Sequence, residues 1–176
     1  MTFQKIGVLG GGAWGTALAY TAHAAGRNVK LWALESSVAE ALSAGRGNPD
    51  FLPDVPLPKI DATNDLAEMA DCDALLAVVP AQFARGVFEK LQDVIPADMP
   101  IALCAKGVER GSLKLMTDVV KETLPKARVA VLSGEASGAQ TLLLRRVRLQ
   151  VLREPDGETR RLYLLTEPLL ACLLAC

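Results

Sequence analysis

The sequence predicts an α/β fold, a doubly wound and mostly parallel sheet with helices on both faces. Three observations point to it. Short apolar runs alternate with longer segments of helical character along the first 134 residues. Those runs are continuously apolar rather than alternating apolar and polar, as expected of parallel strands buried on both faces. A glycine-rich turn joins the first apolar run to the first helical segment, the setting in which such turns bind phosphates. At 176 residues and 51% hydrophobic, the chain suits one domain with an appendage and can fill a core.

The elements follow in order. KIGVL, 5–9, is a buried strand, and an alanine-rich helix runs over 14–25. NVKLWAL, 28–34, is a second strand. SSVAEALSAG, 36–45, offers serines for the N-cap and a terminating Gly45, the start and stop signals of a helix. GNPDFLPDVPLP, 47–58, is a loop carrying Pro49, Pro53, Pro56 and Pro58. NDLAEMA, 64–70, is a short helix, and DALLAVVP, 73–80, is a strand stopped by Pro80. Residues 82–93 are helical. PIALCAKG, 100–107, is a strand. SLKLMTDVVKETL, 112–124, places apolar residues at 113, 115, 116, 119, 120 and 124 and reads as a helix. ARVAVLSG, 127–134, is a further strand. Right-handed crossovers between these strands generate a doubly wound sheet.

Gly10, Gly12 and Gly15 form G-x-G-x-x-G directly after the first strand and at the opening of a helix. Gly10 permits a tight turn. Gly12 lets a pyrophosphate approach the backbone, and Gly15 lets the helix pack close to its strand. The free N–H groups and positive dipole end of the helix then face the phosphates. This is the fingerprint of a Rossmann dinucleotide site. Glu35 stands near the end of the second strand, a little beyond the usual spacing. It is either the acid that holds ribose hydroxyls or a surface charge opening the next helix.

Other features are plainer. Nineteen basic against twenty acidic residues, a net charge of −1, give no support for nucleic-acid or membrane-surface binding. The start, MTFQKIG, lacks the pattern of a signal peptide, and no apolar stretch approaches bilayer-spanning length. A cytoplasmic protein is expected. Cys72 and Cys104 lie beside or within apolar runs and read as buried free thiols. Cys172 and Cys176 are four apart, but no histidine or second cysteine pair joins them, so no metal site is expected. His23 reads as a solvated or capping histidine on the first helix.

GGGAWGTALA resembles the fingerprint of NAD(P)-dependent glycerol-3-phosphate dehydrogenases, in which an aromatic residue, here Trp14, precedes the last glycine. The likeness continues through LW at 31–32, N-x-x-FLPDVPLP from Asn48 to Pro58, LAVVPAQ at 76–82, AKG at 105–107 and LSG at 132–134. The proline-rich FLPDVPLP is the most specific of these, because no generic nucleotide fold requires it. The resemblance implies reduction of dihydroxyacetone phosphate to sn-glycerol 3-phosphate with NADH or NADPH, a step of glycerol-3-phosphate metabolism that feeds phospholipid biosynthesis. It implies that Ala13 and Trp14 contact the cofactor beside Gly10, Gly12 and Gly15. It also implies that Lys106 reaches both substrate and nicotinamide, and that Gly134 belongs to the substrate side. Leu34 stands where the family often has a basic residue after LW-x. Without that charge a 2′-phosphate loses its partner, which points to NADH over NADPH.

After Gly134 the pattern is lost. The family continues P-S/T-F-A, and this chain continues GEASGAQ. Read one base out of step, GAA GCT TCG G contains AGC TTC GG, the codons of Ser-Phe-Gly. Residues 135–176 are therefore either the family's gene out of frame or a divergent tail in which RLQVLRE and TRRLYLLTE pair around PDGE. The division expected is a dinucleotide-binding domain over 1–134 and an anomalous tail over 135–176. The family's helical domain, with its general-acid lysine and dimer contacts, is not expected within this chain. On that reading the chain has no catalytic residue of its own, the family-type homodimer is not expected, and the chain is inactive alone or serves as an NAD-binding module.

Overall fold

The computed structural model describes residues 3–105 and 107–132. Six strands form one parallel sheet: β1 (Lys5–Leu9), β2 (Asn28–Trp32), β3 (Asp61–Thr63), β4 (Ala74–Ala77), β5 (Pro100–Leu103) and β6 (Arg128–Val131). Their spatial order is β3-β2-β1-β4-β5-β6, with every neighbouring pair parallel. This is the doubly wound order whose direction of winding reverses between β1 and β4. The helices are α1 (Ala13–Ala24), α2 (Ser36–Ser43), α3 (Ala81–Leu91) and α4 (Met116–Thr123), with a 3-10 helix over Leu66–Asp71.

The predicted continuity of apolar residues has its cause in two cores, one on each face of the sheet. Ile6 and Val8 of β1 pack with Leu18, Ala19 and Ala22 of α1 and with Val38 and Leu42 of α2. Leu9, Leu75, Ile101 and Leu103 project into the other core with Phe88 and Leu91 of α3 and Val119 and Val120 of α4. Helices α1 and α2 end alike. Gly26 and Gly45 adopt φ of +78° and +72°. In each case the glycine N–H and the following arginine N–H turn back onto the last helical turn, closing a Schellman motif.

The structure departs from the expected elements at several points. The serines do not cap α2. Glu35 takes the N-cap position, extended at φ −82° and ψ 119°, and Ser36 is already helical. This follows because β2 stops at Trp32, two residues before the predicted end, and the turn over 33–35 uses up the cap position. The edge strand β3 has no apolar run to announce it, only three residues beginning with Asp61. NDLAEMA closes as a 3-10 helix capped by the Asp65 carboxylate, which accepts the Ala67 N–H at 2.9 Å. Helix α4 starts four residues later than expected. Leu113 is left-handed at φ +58°, and the loop closes on itself through Glu109 N–H to the Lys114 carbonyl and Leu113 N–H to the Glu109 carbonyl, both 2.9 Å. Leu113 and Leu115, expected on a buried helix face, are 77% and 57% exposed. The strands predicted over 73–80, 100–107 and 127–134 end earlier, at Ala77, Leu103 and Val131.

Candidate dinucleotide cleft

A cleft of about 740 Å³ opens above the carboxyl ends of β1, β2 and β4. It lies at the point where the sheet reverses its winding, the expected ligand position in an open α/β sheet. The glycine loop makes its floor. Gly10 donates its N–H to the Trp32 carbonyl at 2.8 Å and takes φ +122°, a conformation side chains resist. A Cβ on Gly15 would lie 1.9 Å from the Gly10 carbonyl oxygen, so this glycine sets how closely α1 approaches the turn. A Cβ on Gly12 would meet nothing within 4 Å. No packing within the described residues requires glycine there, and the vacancy faces the start of α1. That is the shape a pyrophosphate needs against backbone N–H groups.

The walls are largely apolar. Trp14 packs partly buried against the first core and lines the cleft with Ala13. Leu34, 72% exposed, and Glu35 form the rim after β2. Phe51 from the proline-rich loop and Phe83 from α3 face the same space, and Phe83 is 68% exposed. Exposed aromatic and leucine surface of this kind suits nucleotide bases. The residues present therefore fit a dinucleotide: a vacancy at a helix N-terminus, an apolar wall and an acid at the rim. Reasoning on the sequence reached Gly10, Gly12, Ala13, Trp14, Gly15 and Leu34, which the fold brings together. It missed Phe51, Phe83, Trp32 and Lys90, which line the same cleft. The FLPDVPLP and VVPAQF stretches carried the signal for the two phenylalanines.

Lys106 and Gly134 lie outside the described residues, as do Cys172, Cys176, the 135–176 tail and its expected hairpin. The loop following Lys106 is described from Gly107 onward and is held firmly. Gln82 of α3 donates to the Val108 carbonyl at 2.9 Å and accepts the Arg110 N–H at 2.8 Å. Arg85 makes a two-point contact with Glu109 at 2.8 and 3.0 Å and reaches Glu122 of α4 at 2.8 Å. Hydrogen bonds from Arg85, then from Ser112, hold the Glu109 carboxyl down to about 2. The thiols of Cys72 and Cys104 are free and buried. Burial pushes Cys72 up to about 11 and raises Cys104 further. His23 is exposed in the last turn of α1. Among the described residues no cluster of histidine, cysteine and carboxylate side chains could hold a metal ion, and no helix is long and apolar enough to cross a membrane.

Comparison with known proteins agrees with this geometry. The model of the NAD-dependent glycerol-3-phosphate dehydrogenase N-terminus matches residues 5–149. A glycerol-3-phosphate dehydrogenase (NAD(P)+) of Maricaulis maris is 51% identical over 140 residues, covering 79% of this chain and 42% of its own length. The crystal structure of glycerol-3-phosphate dehydrogenase from Coxiella burnetii superimposes with a TM-score of 0.77 at 30% identity, covering 85% of this chain and 46% of that one. The yeast glycerol-3-phosphate dehydrogenase, 22% identical with a TM-score of 0.75 over 92% of this chain and 50% of its own, shares the fold. The chain spans about two fifths of the length of the curated relatives it matches. The glycine loop, the doubly wound sheet and these matches together place the chain in the family of NAD-dependent glycerol-3-phosphate dehydrogenase N-terminal domains.

Proposed function

We propose that this chain is the cofactor-holding part of an NAD(P)-dependent glycerol-3-phosphate dehydrogenase, an oxidoreductase acting between dihydroxyacetone phosphate and sn-glycerol 3-phosphate. The dinucleotide-binding domain occupies 1–134. The observation that carries the reading is the open space at Gly12, set at the N-terminus of α1 on the floor of an apolar cleft. Bound there, the nicotinamide would supply the redox chemistry. The chain's own residues bind and orient. Gly10, Gly12 and Gly15 bring the backbone of the loop to the pyrophosphate. Ala13 and Trp14 shape the floor and one wall, and Leu34 and Glu35 meet the ribose end.

Lys106 and Gly134 are assigned to the substrate side. Lys106 follows a strand that ends at the ligand-binding edge of the sheet. Its cation suits a phosphorylated substrate and the negative charge that develops on the carbonyl oxygen during reduction. The residues named here bind and position the reactants. The preference is for NADH, because Leu34 offers no charge to a 2′-phosphate and Glu35 beside it disfavours one. A cytoplasmic setting suits the two free buried thiols, and the near-neutral charge suits a small-molecule ligand over a nucleic acid.

The test uses the chain's only two tryptophans, Trp14 and Trp32, both of which line the cleft. Saturable quenching of their fluorescence by NADH, with a tighter midpoint than for NADPH, is the expected result. Absence of saturable quenching by either nucleotide would overturn the reading.

A further inference from the structure

The proline-rich loop, the most specific part of the family resemblance, touches the glycine loop through one side chain. Asn48 is only 1% exposed. Its Nδ2 donates to the Gly11 carbonyl at 2.8 Å and to Thr16 Oγ1 at 2.8 Å. Its Oδ1 accepts the Phe51 N–H at 3.3 Å, and its own carbonyl accepts the Leu52 N–H at 2.8 Å. Thr16 is fully buried and turns its hydroxyl proton toward the same Gly11 carbonyl at 3.3 Å.

We propose that Asn48 is a positioning residue for pyrophosphate binding, acting through the Gly11–Gly12 peptide. The inference rests on the cleft being the dinucleotide site. A trans peptide is planar, and its carbonyl and N–H point in opposite directions. With the Gly11 oxygen drawn inward by Asn48 and Thr16, the Gly12 N–H is turned away from them. It is thereby fixed at the start of α1, where the backbone is open. Left unheld, the peptide could rotate, and part of the binding energy would go into ordering it.

Only asparagine meets the geometry. The Gly11 carbonyl can only accept, so the amide nitrogen must face it, and the Phe51 N–H can only donate, so the amide oxygen must face the other way. Aspartate would set a carboxylate against the Gly11 carbonyl. Glutamine would add a methylene to a site with no room. The same side chain joins the cleft floor to the loop that carries Phe51.

The test compares NADH and adenosine binding to the full chain and to Asn48→Ala, Asn48→Asp and Thr16→Val. Adenosine has the base and ribose but no pyrophosphate. Weakening of NADH by about tenfold in Asn48→Ala, at least as much in Asn48→Asp and less in Thr16→Val, is expected from the loss of one to two hydrogen bonds. Adenosine affinity should stay unchanged. Equal NADH affinity across the set would overturn this inference while leaving the cleft reading in place. Parallel weakening of NADH and adenosine would also overturn it and make Asn48 a support of the fold alone. Absence of NADH binding by the parent chain would overturn both readings. If Asn48→Ala fails to fold, the isosteric Asn48→Asp and Thr16→Val carry the comparison.

Discussion

Two glycines in one loop should respond to the same substitution in opposite ways. A Cβ on Gly15 would lie 1.9 Å from the Gly10 carbonyl oxygen, whereas contacts below 3.0 Å are essentially never seen. Relief requires α1 to retreat by about 1.1 Å, most of the 1.5 Å rise of one helical residue. The obstacle is backbone and cannot swing aside. Gly15→Ala should lose about 1–3 kcal/mol to overpacking, offset by up to about 1 kcal/mol of helix propensity. The net is a lower melting temperature by several degrees and a misplaced helix N-terminus. Gly12→Ala meets nothing within 4 Å, and its φ of −67° with ψ 177° suits alanine. Its melting temperature should stay close to that of the parent. Its methyl would stand where the phosphate belongs, and each charge-assisted hydrogen bond lost there is worth about 1.5–3 kcal/mol, so NADH binding should fall at least tenfold. Calorimetric melting and NADH titration of the two variants read both quantities. A Gly12→Ala chain that binds NADH as well as the parent would show that the phosphate does not lie against Gly12.

Further outcomes are expected elsewhere. Leu34→Arg places a cation on the exposed rim and should improve NADPH binding relative to NADH by about tenfold, read by competitive titration. In a chain with Cys172 and Cys176 replaced by serine, native Cys72 and Cys104 should resist thiol reagents at mildly alkaline pH and react on unfolding, because burial keeps both protonated. Glu109 is held to about 2 in the folded chain against an ordinary 4.5. A lowered folded value means its stabilisation is present above about 4.5 and is lost as pH falls toward 2. Melting temperatures across that window should fall less steeply for Glu109→Gln than for the parent. Phe88→Ala empties the centre of the second core, where Phe88 is 1% exposed, and should cost about 3–5 kcal/mol in denaturant unfolding.

The parts of the fold legible in the sequence were those where one physical demand dominates. β4 is buried throughout and β1 at every position after Lys5, so those positions had to be small or apolar, and the runs announced themselves. Gly45 was legible as the end of its helix because only glycine adopts its φ of +72° cheaply. Where local and tertiary demands compete, sequence pattern and structure part company. SLKL looked helical by spacing, yet Ser112, Gly111 and the Glu109 backbone close a turn first, and Leu113 and Leu115 point outward. β3 is three residues held at the sheet edge by β2, with little pattern of its own. The glycine loop was legible because its chemistry is local. The walls were not, because Phe51 and Phe83 lie 32 positions apart and share a cleft only after the sheet forms. Asn48 stands at the head of the N-x-x-FLPDVPLP stretch, but its partner lies 37 residues away at Gly11. Nothing local distinguishes it from a loop asparagine.

On the proposed function the dinucleotide lies on the Gly10–Gly15 loop at the start of α1. The most direct measurement is an amide nitrogen–proton NMR titration of the full chain with NADH, following each backbone amide. Saturable shifts concentrated at Gly11, Gly12, Ala13 and Trp14, with the Trp32 indole and the Phe51 amide moving with them, are the predicted result. Saturable shifts that leave this loop still and gather instead at Lys5, His23 and Arg27, at the opposite end of the sheet, would contradict it.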